Sequence, residues 1–178
     1  MKPPERFETD RLVLRPATLA DAEDIFQVFA QDPEVTRYTT WRPHISVTQT
    51  LEFLAGCEQA WEGGHRFPYG IILKGSDSAI GLFEIRLEDF KAELGYGLGK
   101  AFWGKGYTTE AARTVVDWAL AQPSIYRVWA VCDVDNIGSR RVMEKIGMQR
   151  EGILRREIIH PNISAEPRDC YLYSIIKD

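Results

Sequence analysis

Residues 127–134, RVWAVCDV, form a nearly continuous apolar run of strand length. A strand with one face in water alternates apolar and polar residues, whereas a strand covered on both faces is apolar throughout. This run therefore predicts a central strand with a layer of structure on each face. A chain with such a strand folds as a sheet between helices, so the other segments need to supply both layers.

Helical segments are predicted on both sides of this strand. Two pairs of the capping-box type, Thr18 with Asp21 and Ser46 with Gln49, each precede apolar residues at helical spacing. A third helix follows the segment FWGKGY and stops before Pro123, because proline cannot continue a helix. Three helices are thus expected before the central strand.

A short last helix and the strands complete the order of elements. Asn136 caps this helix and Gly147 ends it. Alternation or short apolar runs predict strands at residues 7–17, 67–73, 79–88, 92–98, 127–134, 148–157 and 168–176. The order β-α-α-β-β-β-α-β-α-β-β predicts an α/β fold, a mixed sheet of about seven strands with helices on both faces. The 178 residues fit a single domain, 1–178.

Charge and hydropathy exclude several kinds of partner. The formal net charge is −4, from 22 basic and 26 acidic residues, so no global attraction to nucleic acid or to an anionic membrane is expected. No run approaches the ~20 apolar residues of a membrane span, and the N-terminus lacks a signal-peptide pattern. These features predict a cytoplasmic protein.

The spacing of cysteine and histidine does not predict a metal centre. Cys57, Cys132 and Cys170 form no CxxC pair, which argues against both a zinc site and a disulfide framework. The histidines lack the spacing of metal ligands. We therefore expect buried thiols and no bound metal.

A glycine-rich turn precedes the third predicted helix, in the segment FWGKGYTTEAA, residues 102–112. The order of Lys105 and Gly106 does not match a Walker A loop, and Thr109 replaces the last small residue of a dinucleotide fingerprint. Successive amides at the positive end of a helix can nevertheless surround a pyrophosphate. Taken alone, this segment is equally consistent with a plain turn before a helix.

Three segments together resemble a known family. Residues 92–112, AELGYGLGKAFWGKGYTTEAA, and residues 134–148, VDNIGSRRVMEKIGM, resemble the pyrophosphate motif and the neighbouring N-x-x-S segment of the GNAT family of acetyl-CoA-dependent N-acetyltransferases. Residues 9–16, TDRLVLRP, are similar to the opening of its RimJ/RimL-like branch, the ribosomal-protein N-terminal acetyltransferases. The resemblance covers nearly the whole chain, and it implies a sheet splayed between residues 92–98 and 127–134.

The resemblance also implies which residues hold acetyl-CoA. The pantetheine arm would pair with backbone groups in the manner of an added strand, and the pyrophosphate would meet the glycine-rich turn. The implied cofactor-binding residues are Gly97, Leu98, Trp103, Gly104, Lys105, Gly106, Tyr107, Thr108, Thr109 and Asn136. Gly95 and Gly97 suit a bulge or a close backbone approach, although a plain strand irregularity is an alternative.

Acetyl transfer needs a base for the ammonium, a donor for the oxyanion and a donor for the departing thiolate. By the resemblance Glu93 and Glu157 are the candidate bases, with Glu84 as a third, and a backbone N–H near Leu98 holds the oxyanion. The short helix has no tyrosine, so Ser139 is the available donor to the thiol. The alternatives are structural: Glu93 as an ion-pair residue, and Ser139 as a capping hydroxyl.

The acceptor is expected to be a primary amine, either of a small molecule or of a protein N-terminus. It would enter past an aromatic loop with Tyr38 and Trp41 and a late loop with His160. Two other functions stay open at this stage: a non-catalytic acyl-CoA-binding module and a nucleotide-binding protein. A monomer or a homodimer is expected.

Overall fold

A computed structural model describes residues 1–177 of the chain. Its strands are β1 (Phe7–Glu8), β2 (Leu12–Pro16), β3 (Arg66–Leu73), β4 (Ala79–Glu88), β5 (Lys91–Leu98), β6 (Arg127–Asp133), β7 (Gln149–Ile158) and β8 (Arg168–Ile176). Its helices are α1 (Ala22–Ile25), α2 (Val47–Gly63), α3 (Tyr107–Ala121) and α4 (Ile137–Lys145). Short 3₁₀ turns occur at Leu19–Asp21, Thr36–Tyr38 and Lys100–Phe102, and a π-helical turn, Phe26–Ala30, extends α1.

The strands form one mixed sheet in the order β1-β2-β3-β4-β5-β6-β8-β7. The sheet has eight strands rather than the predicted seven, because the first predicted strand folds back on itself as a hairpin. The amide of Thr9 closes this hairpin by donating to the carbonyl of Leu12 at 3.0 Å. Asp10, a residue type that favours turns, lies at its tip. The predicted mixed α/β architecture is confirmed.

Helices cover both faces of the sheet. On one face α1 and α2 bury residues such as Ile25 and Leu54 against Ile72 of β3. On the other face α3 and α4 bury Val115 and Met143 against the sheet. The two apolar clusters together form the core.

The central position predicted for residues 127–134 is confirmed, since β6 lies between β5 and β8. Its predicted burial on both faces is only partly correct. Val128, Ala130 and Cys132 are buried toward α3 and α4, whereas Trp129 and Val131 are half-buried. The reason is that α1 and α2 pack over β3 and β4 and do not reach across to β6.

The end predicted for α4 is confirmed, and α2 ends in the same way. Gly64 after α2 and Gly147 after α4 have φ angles of 75° and 91°, the left-handed conformation that commonly ends a helix. Asn136 caps α4, because its Oδ1 accepts a hydrogen bond from the amide of Ser139 at 3.1 Å. In the described part of the chain, no helix is long and apolar enough to cross a membrane.

The sheet opens between its two parallel strands. β5 and β6 pair only through Lys91 with Arg127, Ala92 with Val128, and Glu93 with Trp129. Beyond Glu93 and Trp129 the two strands part, so the splayed sheet implied by the resemblance is confirmed. The gap has one closed end, at the last paired residues, and one open end beside the turns that lead into α3 and α4.

Candidate active site

The turn before α3 presents a row of free backbone amides. Within residues 1–177, the amides of residues 104–109 donate to no other group of the protein, and that of Glu110 is the first to bond, to the carbonyl of Gly106 at 3.0 Å. Gly104 and Gly106 have φ angles of 73° and 80°, which side chains disfavour. Because α3 stands behind the turn, its dipole adds partial positive charge there. The turn therefore suits an anion such as a pyrophosphate.

The other residues predicted for this turn surround it. Lys105 is exposed, with its ammonium 5.5 Å from the centre of the Phe102 ring. Tyr107 carries the guanidinium of Arg11 over its ring at 4.6 Å. Thr108 and Thr109 are half-buried in the first turn of α3. The structure thus places the predicted side chains beside the free amides.

A set of hydrogen bonds that sequence reasoning missed connects the turn to the start of β2. Glu110 accepts hydrogen bonds from Thr9 and from the backbone and side chain of Arg11, and Arg11 donates onward to the carbonyl of Lys105 at 3.0 Å. Burial opposes ionisation of Glu110, but these hydrogen bonds outweigh it and lower its pKa. The triplet TDR, residues 9–11, is the only sequence pattern that marks the two donors, and it does not indicate that Glu110 is their partner.

The open edge of β5 runs along the gap. Past Glu93 its backbone has no strand partner on the β6 side. The register with β4 is regular, so the expected bulge is absent. At Gly97 a Cβ would lie 2.3 Å from the Phe29 ring, whereas at Gly95 its nearest neighbour would be 3.9 Å away, so a side chain of the protein approaches the strand closely at Gly97.

Trp103 connects the end of β5 to the glycine-rich turn. Its indole N–H donates to the carbonyl of Leu98 at 2.6 Å, while the side chain stays exposed. This contact fixes the carbonyl of Leu98, the last residue of β5, which lies at the open end of the gap. Trp103 thus supports the geometry of the turn through the backbone of the strand.

Asn136 and Ser139 lie at the start of α4, beside the open end of the gap. The Oδ1 of Asn136 is used for capping, and within residues 1–177 its side-chain nitrogen, Nδ2, has no partner. The hydroxyl of Ser139 lies 3.0 Å from that of Tyr96 on β5. Sequence reasoning missed Tyr96, because a contact between residues so far apart in the chain leaves no local signal.

Two of the three candidate bases belong to an ion-pair network near the closed end of the gap. Arg86 of β4 lies opposite Glu93 in the strand register and contacts it at 3.1 Å. Glu84 pairs with both Arg86 and Arg66, the latter at 2.7 Å. Both carboxylates therefore have guanidinium partners, as the structural alternative for Glu93 proposed.

Glu157 differs from Glu93 in position and surroundings. It is exposed, and no ion pair involves it within the described residues. It follows Arg156, whose φ of 54° belongs to a bulge in β7, and bulges next to active sites re-aim side chains. Cys170 of β8 pairs both with β7 beside this bulge and with Asp133 at the end of β6, so the bulge lies toward the open end of the gap. The structure does not bring Glu93 and Glu157 together.

The two loops predicted to admit the acceptor are joined to each other. Asn162 of the late loop donates to the carbonyl of Trp41 at 2.9 Å. His160 is buried, with its ring edge-on to that of Tyr38 at 6.1 Å. Tyr38 also donates to the carbonyl of Asp135 at 3.1 Å, just before α4. The predicted side chains therefore meet at the open end of the gap.

These features fit acetyl-CoA part by part. The free amides of residues 104–109 suit the pyrophosphate, and the unpaired edge of β5 suits the amides of pantetheine. The hydroxyl of Ser139 lies next to the gap in which a thioester would arrive. When bound, acetyl-CoA supplies an activated acyl group, and the chain supplies its orientation.

Comparison with known proteins agrees with this geometry. The Acetyltransferase (GNAT) domain family matches residues 11–149. The uncharacterized N-acetyltransferase p20 of Bacillus licheniformis is 30% identical over 176 residues, which are 97% of each chain. The uncharacterized N-acetyltransferase YoaA of Bacillus subtilis is 32% identical over 174 residues, 96% of each chain.

Solved structures share the fold. A GNAT-family acetyltransferase from Bacillus anthracis superposes with a TM-score of 0.82 and 27% identity, over 96% of this chain and 98% of the other. RimL, a ribosomal L7/L12 alpha-N-protein acetyltransferase in complex with coenzyme A, superposes with a TM-score of 0.85 and 20% identity, over 98% and 99% of the two chains. The family resemblance seen in the sequence is thereby confirmed. The chain belongs to the GNAT family and is an acetyl-CoA-dependent N-acetyltransferase.

Proposed function

We propose that this protein acetylates the α-amine of a protein N-terminus by direct attack of the amine on acetyl-CoA. The observation that carries the proposal is the row of free amides at residues 104–109, beside a gap in the sheet. The choice of a protein acceptor is supported by the fold shared with RimL, an alpha-N-protein acetyltransferase. A small-molecule amine is the alternative that the experiment below separates from it.

The buried thiols support direct transfer without an acyl-enzyme. Burial raises the pKa of Cys57 and of Cys132 to about 12, and burial likewise raises that of Cys170 to about 11. The thiolate, not the thiol, is the nucleophile. None of these cysteines is therefore prepared to take the acetyl group.

We assign the general base to Glu157 rather than to Glu93. Glu157 is exposed and unpaired within the described residues, whereas Glu93 is held by Arg86 at 3.1 Å. A free carboxylate can accept a proton from the ammonium or from an intervening water. The bulge at Arg156 supports this role, because it re-aims the segment that carries Glu157.

The remaining roles follow from the positions of backbone and hydroxyl groups. The amides of residues 104–109 bind the pyrophosphate, with the side chains around the turn helping to enclose it. Gly97 and Leu98 pair with pantetheine along the open edge of β5, and the free side-chain Nδ2 of Asn136 donates to the same arm. A backbone N–H near Leu98 holds the oxyanion, and Ser139 donates to the sulfur.

Two measurements test the proposal. Acetyl-CoA should raise the melting temperature, because it binds the folded state only. Release of CoA should then be screened over N-terminal peptides, the same peptides with blocked α-amines, polyamines, amino acids and antibiotics. We expect turnover with the free peptides and none with the blocked ones.

Each other outcome points to a different function. Turnover with small amines alone contradicts the protein acceptor and supports a small-molecule acetyltransferase. Stabilisation by acetyl-CoA with no turnover on any amine supports the acyl-CoA-binding module. Stabilisation by ATP or NAD, with no competition from CoA, contradicts the assigned co-substrate.

A further inference from the structure

Tyr96 on β5 and Ser139 on α4 touch across the gap in the sheet. The tyrosine hydroxyl lies 3.0 Å from the Oγ of Ser139 and 3.3 Å from its carbonyl oxygen. The last paired residues of β5 and β6 are Glu93 and Trp129, so Tyr96 lies where the strands have already parted. The two hydroxyls thus connect β5 to α4 at a point where β5 and β6 are no longer paired.

The phenol of Tyr96 is fixed in position and in protonation state. Its ring stacks on that of Phe83 on the neighbouring strand, with centroids 5.9 Å apart and planes inclined by 26°. Burial raises the pKa of the hydroxyl above its usual value. At neutral pH the group is therefore a phenol with one proton to donate.

Ser139 is fixed from the other side. Its amide donates to the Oδ1 of Asn136 at 3.1 Å, which anchors the first turn of α4. Besides Tyr96, the buried Cys132 thiol lies within hydrogen-bonding reach of its Oγ, since a hydrogen bond from Ser139 offsets part of the rise in the pKa of that thiol. If the phenol donates to this oxygen, the serine O–H is free to donate to a sulfur, either that of Cys132 or that of CoA in the gap.

We propose that Tyr96 is a positioning residue for release of the thiolate, acting through Ser139. The phenol donates to the Oγ of Ser139, and the serine O–H in turn donates to the sulfur of CoA. The inference rests on the proposed function, in which Ser139 faces the sulfur. Because α4 carries no tyrosine, the phenol comes from the opposite strand.

No proton needs to leave either hydroxyl. When the carbon–sulfur bond breaks, its electron pair goes to sulfur, and the resulting thiolate accepts a hydrogen bond from the serine. The thiolate then takes a proton from solvent. A donor that is itself hydrogen-bonded donates more strongly, since chains of hydrogen bonds polarise one another.

The first test is a titration of the thiol of bound CoA, followed by the ultraviolet absorbance of the thiolate. Subtracting the same titration of each variant without CoA removes the contribution of the protein's own thiols, whose pKa burial raises to about 12 for Cys57 and Cys132 and to about 11 for Cys170. We expect the Tyr96→Phe and Ser139→Ala variants each to raise the bound thiol's pKa by roughly one unit. The double variant should resemble Ser139→Ala alone.

A matched control removes a similar contact elsewhere on the same helix. The hydroxyl of Tyr173 donates to Glu144 of α4 at 3.0 Å, away from Ser139. The Tyr173→Phe variant should leave the titration unchanged. An equal shift in this variant, or shifts that add in the Tyr96/Ser139 double variant, overturns the proposal, because independent structural damage adds.

Steady-state kinetics give a second readout. We expect Tyr96→Phe to lower kcat about tenfold with the KM for acetyl-CoA changed by less than about twofold, as for an interaction made as the thiolate departs. An unchanged kcat overturns the proposal. If the wild type binds CoA but acetylates no amine, the proposed function fails, and the titration still decides whether Tyr96 acts through Ser139.

Discussion

The carboxylate of Glu110 accepts two hydrogen bonds from Arg11, at 2.9 Å from its backbone amide and at 2.7 Å from its Nε. Arg11 also donates to the carbonyl of Lys105 inside the glycine-rich turn. The start of β2 is therefore tied to the turn through one side chain. The geometry of the free amides depends on a residue far away in the sequence.

Replacing Glu110 by Gln should weaken these hydrogen bonds and make the backbone of the turn less ordered. We expect the KM for acetyl-CoA to rise about fivefold with kcat nearly unchanged, because the effect is on binding, and stability to fall by about 1 kcal/mol. Glu151→Gln is the control, since Glu151 makes a similar pair with Arg127 on β6 at 2.6 Å. Equal changes in KM in the two variants would show that Glu110 has no special connection to the turn.

Gly104 and Gly75 allow backbone strain to be separated from cofactor binding. Both have positive φ, 73° and 85°, and neither has an atom within 4 Å of a built Cβ. Alanine at either position should cost about 1 kcal/mol of stability. Only Gly104→Ala should also reduce the rise in melting temperature given by acetyl-CoA. A similar reduction for Gly75→Ala, which lies between β3 and β4, would contradict pyrophosphate binding at the turn.

The assignment of the general base is tested by two glutamine variants. Glu157→Gln should lower kcat by about a hundredfold, the usual contribution of a general base. Glu93→Gln should lower kcat less than about threefold, because Arg86 already holds this carboxylate. The reverse pattern would assign the general base to Glu93. The kcat of both variants should be measured at saturating acetyl-CoA.

Asp21 should make stability depend on pH. Burial opposes its ionisation, but hydrogen bonds from Arg15 and Thr18 outweigh burial and lower its pKa. The folded pKa thus lies below the unfolded value of about 3.9, so the stabilisation is present above about pH 4 and is lost as the pH falls further. Asp21→Asn should cost about 2 kcal/mol at neutral pH, and urea unfolding should show a flatter decline in acid than in the wild type. Parallel curves would contradict this role.

Much of the fold could be predicted from the sequence because local signals repeat along it. The caps at Asn136 and Gly147 and the apolar residues 127–134 each depend on neighbouring residues only. The hairpin at Asp10 and the half-buried face of β6 could not be predicted in this way. The half-buried face of β6 depends on where α1 and α2 pack, and the hairpin depends on the pairing of β1 with β2.

The candidate site was predicted where one segment suffices and missed where two segments meet. The free amides of residues 104–109 follow from glycines before a helix. The ion pair of Glu93 depends on its register with Arg86. The contact of Tyr96 with Ser139 depends on the opening of the sheet. Neither relationship is encoded by the spacing of residues within one motif.

Gly97 should be a strand glycine that tolerates no side chain. A Cβ there would lie 2.3 Å and 2.7 Å from two carbons of the buried Phe29 ring, whereas at Gly95 the nearest atom would be 3.9 Å away. Because Phe29 also packs against Trp41 in the acceptor-side loop, the ring cannot move without disturbing that loop. We expect Gly97→Ala to cost about 2 kcal/mol and to raise the KM for the acceptor.

The control lies two residues away on the same face of β5. Gly95→Ala should be neutral within about 0.5 kcal/mol, because ordinary contact distances surround the new methyl group. Combining Gly97→Ala with Phe29→Leu should recover part of the lost stability, since the smaller side chain frees the space that the methyl group needs. Urea unfolding of five proteins, namely the wild type, the three single variants including Phe29→Leu, and the double variant, measures these differences. If the double variant loses as much unfolding free energy as the two single variants together, or more, crowding by Phe29 is not the cause.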